Sequence, residues 1–487
     1  MYRIMKYIFI TIVTTLLFFG CDKALEEVPK DFVSKANFYK NEQDAEAAIA
    51  GAYAGMQNDF FGITNYLMTE LHGDYLFGRG SQAPITIWDQ ILNQQNIGRC
   101  ATNWSQFYTT INRANAVLDN VPNIENMDAN TQKQILAEAH FLRALCYFEL
   151  VRGWGAVPLK TSESIDLSAV EAPRAPESEV YDLIVQDCQI AENDLGEVGA
   201  ETGRASKWAA KMLLAHVYLT MENWTGAAEK ANDVITNGPF SLVTVTEPDD
   251  FYKIFAVDTS TEDIMSMHHS ETKGSTIPNY LHRAGNIPYN YSSGGVFAWL
   301  PDMNSFIGDS WDSNDLRKDF NLYTEIQNAD GEWVPLPSTT PVLFKKFITN
   351  ASGISLYSVP IYRFTEAYLF YAEASAMADG TPSDLALERL NMIKRRAYGY
   401  DPSTISPVDY PSGMGGDEFR DAVIQERAYE FITERRRWFD LKRTGKVKEA
   451  FAAAGKNIID ERLLYPIPED EINNNPAIGQ QDQNPGY

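Results

Sequence analysis

The sequence predicts a mainly α-helical protein in which antiparallel helical hairpins form a scaffold and an irregular, loop-rich portion lies toward the C-terminus. Three observations carry that prediction. Apolar residues recur at i, i+3, i+4 and i+7 through most of the first half, which marks one face of an α-helix. Alanines line the facing sides of two helix–turn–helix pairs. Between about residues 239 and 360 the helical period fades, and Gly, Pro, Asn, Ser and Thr become dense.

The first element follows Asn41, where Ala45, Ala48, Ile49, Ala52, Tyr53 and Met56 share one helical face. The next carries the stripe Trp104, Phe107, Tyr108, Ile111 and Leu118. A helix over about 131–152 is apolar on most sides, with Leu142, Leu145, Cys146 and Phe148, so it is read as sandwiched between others. Gly153, Gly155 and Pro158 end it. Ala210, Leu213, Leu214, Val217, Tyr218 and Met221 make one further stripe. The turn at Glu222–Trp224 then leads to a helix bearing Ala227, Ala228, Ala231 and Val234. That pair is TPR-like, a helix–turn–helix whose small residues let the helices approach closely. A second pair of the same build covers Phe364–Ala378 and Pro382–Ala397. Residues 239–360 read as loops and short strands bearing scattered aromatics, and the tail from Leu463 to Tyr487 reads as extended across the surface. No low-complexity linker divides the chain, which is expected to form one compact structural unit.

Composition narrows the function. Over 487 residues, 44% are hydrophobic and 22% charged, which is globular, and the net charge of −25 with a pI near 4.7 disfavours nucleic acid and anionic lipid surfaces. The N-terminus has Arg3 and Lys6, then an apolar run from Tyr7 to Gly20, the pattern of a secretory signal peptide over 1–20. Leu17–Cys21 (LFFGC) resembles a bacterial lipobox, so Cys21 is the expected lipidation site and first mature residue. Acyl chains there would anchor the protein at about 0.8 kcal/mol per buried CH₂. The plainer reading is a secreted protein with an incidental cysteine. Cys100, Cys146 and Cys188 read as buried apolar residues, with one disulfide as the alternative.

Four further segments carry a family resemblance. ERAYEFITERRRWFDLKR over Glu426–Arg443 is similar to the signature helix of the SusD/RagB family, the surface glycan-binding lipoproteins of Bacteroidetes. YPIPEDEI (Tyr465–Ile472), NPAIGQ (Asn475–Gln480) and NPGY (Asn484–Tyr487) resemble its tail. FLRALCYFEL (Phe141–Leu150) with GAVPL (Gly155–Leu159), and YRFTEAYLFYAEA (Tyr362–Ala374), resemble two of its helices, in the family's order. The resemblance implies a SusD-like α–α superhelix, with an N-terminal TPR-like region over 21–238 and a C-terminal SusD/RagB region over 239–487. It also implies a non-catalytic protein of the outer membrane that faces the cell surface. Such a protein captures oligosaccharide and delivers it to a SusC-like TonB-dependent transporter.

The chemistry of the residues agrees with a binding role. A sugar offers an apolar C–H face that stacks on an aromatic ring, and hydroxyls that bond to Asp, Asn and Arg. The loop near 71–96 holds those types, and Asp74, Arg79, Trp88 and Asn96 are candidate ligand-binding residues. Tyr289, Tyr291, Trp299 and Trp311 are candidates from the second aromatic-rich stretch. Each also has a packing interpretation, since most tryptophans are buried. Read as one helix, the signature places Glu426, Glu430 and Glu434 on successive turns. Arg427, Arg435, Arg436 and Arg437 are close enough to pair with them, so they read as structural ion pairs and not as an acid–base pair. The six histidines form no metal pattern, and no nucleotide-binding loop or serine elbow is present, so no cofactor and no catalytic residue is expected. Calcium leaves little trace in a sequence and stays open. The rival functions are a TPR-like adaptor for protein or peptide and a lipid-anchored glycoside hydrolase, which would need a carboxylate pair facing a cleft.

Overall fold

The computed structural model describes residues 38–61, 63–164, 171–255, 260–270, 274–275, 277, 281, 296–303, 305–306, 309–328, 330–347 and 356–487. The lipobox-like segment with the expected lipidation site Cys21, and the candidates Tyr289 and Tyr291, lie outside them.

Fourteen helices are described: α1 (Glu42–Phe61), α2 (Ile63–Glu70), α3 (Gln94–Asn120), α4 (Ala129–Trp154), α5 (Glu177–Asp194), α6 (Lys207–Thr220), α7 (Trp224–Asn237), α8 (Leu316–Asn321), α9 (Phe364–Asp379), α10 (Asp384–Ala397), α11 (Gly416–Glu430), α12 (Arg437–Arg443), α13 (Val447–Ala453) and α14 (Glu469–Asn474). Short polar side chains start many of them. Asn93, Asp128, Ser206, Asn223 and Ser383 each accept a first-turn backbone N–H, satisfying donors that the helix leaves orphaned. Gly380, in the left-handed region at φ 74°, ends α9.

Each helix from α3 to α7 packs on the next, and α7 packs on α9, which packs on α10. The stack therefore continues across the loop-rich stretch as though residues 239–360 were an insertion. Close approach explains the small residues. Ala227 and Ala231 on α7 and Ala367 and Ala374 on α9 have no exposed surface, and a Cβ at Gly226 would lie 2.8 Å from the Tyr218 ring. Helix α4, apolar nearly all round, is flanked by α3 and α5 and buries Phe141, Leu142, Cys146 and Phe148 completely. Cys100, Cys146 and Cys188 are buried in this core and form no disulfide among the described residues.

The strands are short antiparallel pairs. Asp263–Met267, from the alternating run in the loop-rich stretch, pairs with Val359–Arg363, and Phe77–Gly78 pairs with Ala298–Trp299. The tail departs from its expected surface path. Tyr465 and Ile467 are buried, the Trp154 indole N–H donates to the Pro466 carbonyl (2.9 Å), and Asn484 donates to the carbonyls of Trp154 and Tyr465.

The signature segment is two helices, not one. α11 ends at Glu430, Thr433 and Arg435 take positive φ (61° and 63°), and α12 starts at Arg437. Left-handed non-glycine residues cost about 1–3 kcal/mol each and persist only where the surroundings hold them. Here Tyr66 donates to the Thr433 carbonyl (2.6 Å) and Lys346 to that of Ile432 (2.8 Å). The carboxylates then meet cations brought from elsewhere. Glu430 bonds Arg363, Arg396 and Arg317, and Glu434 bonds Arg363 and Lys346, with every partner buried. Glu426 pairs with Arg317. These are structural ion pairs, as their residue types predict, but their partners are not the neighbouring arginines. Arg427 pairs with Glu366 and Asp440, Arg435 with Glu149, Arg436 with Glu366 and Arg437 with Asp74.

Candidate functional site

The loop joining α2 to α3 is built on an immobilised stem. His72 is buried and neutral: burial, with Arg462 second, holds its pKa well below the ordinary imidazole value. Its Nδ1–H donates to the Met68 carbonyl while Arg462 donates to Nε2 (3.2 Å). Asp74 has no exposed surface, and both of its oxygens accept from Arg437 (2.9 and 2.7 Å). Asn96 is equally enclosed. Its amide donates to Asn93 Oδ1 (2.7 Å) and to the Ser81 carbonyl (3.3 Å), tying the loop to the start of α3. These two candidates hold the loop in place and offer no surface to a ligand.

From that stem the chain turns outward. Phe77 pairs across the two-residue strand with Trp299, and their rings stack with centroids 5.0 Å apart and planes at 25°. Both rings are half-buried, so part of this aromatic surface faces solvent. Arg79 follows, exposed, with its backbone N–H donating to the Phe297 carbonyl (3.2 Å). Trp88 lies beneath. It is 5% exposed and packs edge-on against Phe77 and Phe451 within a small core that includes Trp438. Lys456 lies against both rings, 4.5 Å from the Phe77 centroid and 4.3 Å from that of Trp88, and its ammonium donates to the Asp74 carbonyl. Burial pushes that ammonium down to about 8, with Asp74 opposing.

Phe77, Arg79 and Trp299 thus form one surface, with Trp88 and Lys456 under it. Trp311 is elsewhere: it is 2% exposed, stacks on Tyr429 and donates to Asp315, which pairs with Arg317. Two participants carry no sequence signal. Phe77 looks like any apolar loop residue, and Lys456 is 382 positions from the carbonyl it bonds. Trp333, 54% exposed, is cross-strand from Gln327 on a neighbouring pair of strands whose Val334 shares a small cluster with Trp299. Among the described residues no group of His, Cys, Asp and Glu could hold a metal ion.

A stack of helical hairpins presenting a small aromatic surface on short loops defines a helical-scaffold class of protein. Family models narrow it. Residues 302–487 match the SusD family, and residues 29–219 match a family described as starch-binding and associating with the outer membrane. The chain is 30% identical over 517 residues to SusD-like protein P2 of Formosa agariphila, with 99% of each covered. It superimposes on a SusD superfamily protein of Parabacteroides distasonis with a TM-score of 0.76 at 25% identity, covering 92% of this chain and 99% of that one. A laminarin-binding SusD-like protein gives 0.74 at 25% identity, covering 92% and 100%. The chain belongs to the SusD family. Among the described residues no helix is long and apolar enough to cross a membrane.

Proposed function

We propose that this protein is a surface glycan-binding lipoprotein that captures oligosaccharide on the Phe77–Trp299 surface and delivers it to a SusC-like TonB-dependent transporter. The observation that carries the reading is the half-exposed stack of Phe77 and Trp299 with Arg79 beside it. A pyranose C–H face fits such a stack, and a guanidinium donates to ring hydroxyls. The rigid stem below holds the surface ready, so little ordering entropy is lost on binding. A starch-binding family description and a laminarin-binding structural relative support a carbohydrate ligand. The role is capture without bond cleavage. A lipid on Cys21 tethers the protein to the outer membrane, facing the cell surface. Affinity electrophoresis against a panel of polysaccharides tests this. Retardation by at least one glycan, lost in Trp299→Ala, is expected; no retardation by any would turn the reading toward the protein- or peptide-binding adaptor, and hydrolysis during the run toward an enzyme.

A further inference from the structure

A second cleft, of about 510 Å³, lies between α3 and the tail segment that contains α14. Its wall on α3 is a single face: Ala101, Ser105, Tyr108 and Asn112 recur at helical spacing, with Trp104 at the base. The opposite wall is Pro468 to Asn474, and Lys160 closes one side. A cleft of this size holds a small ligand.

Tyr108, Arg113, Asn115 and Glu471 are already hydrogen-bonded, but four other polar groups keep bonding capacity. Trp104 is 4% exposed, yet its indole N–H has no hydrogen-bond partner among the described residues and is not sealed from solvent, so it opens into the cleft. The indole N–H groups of Trp154 and Trp311 are bonded, and those of Trp88 and Trp208, unbonded as well, are sealed from solvent. Asn112 accepts from the Ser164 N–H (2.7 Å) through its carbonyl oxygen, which leaves the amide N–H₂ to donate. The Lys160 ammonium makes no ion pair among the described residues and rests 5.9 Å from the Tyr108 centroid. Asp470, exposed on the far wall, is likewise unpaired there.

The cleft therefore presents three donors, a carboxylate acceptor, and the Trp104 and Tyr108 rings with centroids 5.0 Å apart. Lys160 and Arg113 balance Asp470 and Glu471 around it. A strongly charged ligand has no complement in that arrangement. A neutral, hydroxyl-rich ring that both donates and accepts has one in every group. From these groups we propose that the cleft is a second carbohydrate site, used when one polysaccharide chain engages the protein at two places. The proposal rests on the glycan-binding reading above. α3 is common to both sites, since Asn96 braces the first and Tyr108 lines the second, and twelve residues of helix separate them by about 18 Å along the axis. Two weak contacts on one polymer reinforce each other through effective concentration.

The test uses the full-length protein labelled with 5-fluorotryptophan, with Trp104→Phe and Trp299→Phe assigning two fluorine resonances. It is titrated with each polysaccharide of the panel (starch, laminarin, xylan, pectin, mannan), and the surface variant Lys160→Ala/Asp470→Ala is run beside it in affinity gels. A retained polysaccharide is expected to shift the Trp104 resonance, and the double variant to bind it at least about tenfold more weakly with unchanged urea unfolding. Retention with a shifted Trp299 signal, an unmoved Trp104 signal and an unaffected double variant would overturn the second site and leave the glycan-binding reading intact. A shift at Trp104 alone would support the cleft and remove the Phe77–Trp299 surface. If no polysaccharide is retained and neither resonance moves, both readings fall.

Discussion

Trp299 and Trp88 lie on either side of Phe77, and replacing each by alanine separates binding from packing. Trp299 is half-exposed, and its main ring contact is the 5.0 Å stack on Phe77, a geometry worth about 0.5–1.5 kcal/mol. Trp299→Ala should therefore lower the unfolding free energy by about 1 kcal/mol. Loss of a stacking anchor at the centre of a site costs at least about 2 kcal/mol of binding, close to thirtyfold in affinity. Trp88 is 5% exposed in the small core with Trp438, Phe439, Leu441 and Phe451. Emptying that position should cost about 3–5 kcal/mol of stability, and glycan retention should fall only as far as folded protein is lost. Urea unfolding followed by fluorescence gives the stability change, and mobility in polysaccharide gels gives the binding change. A Trp299→Ala protein that unfolds like the parent and is still fully retarded would refute the assignment of this surface. A Trp88→Ala protein that keeps its stability would refute the packing argument.

Glu430→Gln should destabilise by about 3–5 kcal/mol, because it leaves Arg363, Arg396 and Arg317 buried around a neutral group, and urea unfolding should show it. Burial alone would raise this carboxyl; the three guanidiniums overcome that and hold it well below the usual carboxylate range, so its contribution is lost as acid reaches the folded-state pKa. Between pH 7 and 9 stability should rise. Burial pushes Lys442 down to about 7 and Lys456 down to about 8, while the unfolded lysines keep their protons to about 10.5, so unfolding takes up protons at up to about 1.4 kcal/mol per pH unit for each. Above about pH 9 the unfolded thiols ionise while burial holds Cys100 and Cys188 protonated, which opposes the two lysines and levels the curve. Lys442→Met should flatten the rise, and an unchanged pH profile would contradict the sign. Cys21→Ser should move the protein from the membrane fraction to the soluble one on cell fractionation; retention in the membrane would remove the lipid anchor.

How much of this was legible in the chain depends on the range over which each signal acts. Helix periodicity is local, so α1, α3, α4 and the two alanine-rich pairs stand out, and the buried alanines of α7 and α9 carry their packing partners in plain view. The break at 431–436 is illegible for the opposite reason. Phe431, Arg435 and Phe439 keep a helical spacing, and nothing nearby shows that Tyr66 and Lys346 will capture the carbonyls of Thr433 and Ile432. The tail reads as extended because Pro and Asn are dense there. Its burial depends on Trp154, more than three hundred positions earlier.

The candidate site divides along the same line. Asp74 and Asn96 are chemically suited to bind hydroxyls, and that suitability made them candidates. Residue type cannot tell whether a carboxylate faces a ligand or an arginine. Asp74 faces Arg437, which the turn between α11 and α12 delivers to it. The signature segment thereby acquires a role beyond the core. Arg437 holds the stem of the loop between α2 and α3, Arg435 ties to Glu149 on α4, and the Thr433 N–H donates to the Tyr75 hydroxyl (3.2 Å). A disturbance in this turn should reach the Phe77–Trp299 surface through Asp74 and Tyr75 without touching it. Arg437→Gln should therefore weaken glycan retention by more than its global destabilisation accounts for, because it leaves the Asp74 carboxylate buried and unpaired three residues before Phe77. Restoring the cation with Arg437→Lys should recover part of the stability and less of the binding, since a lysine cannot reproduce the two-point bond that orients Asp74. Equal recovery of both would mean that the turn supports the fold and leaves the loop's orientation to other contacts.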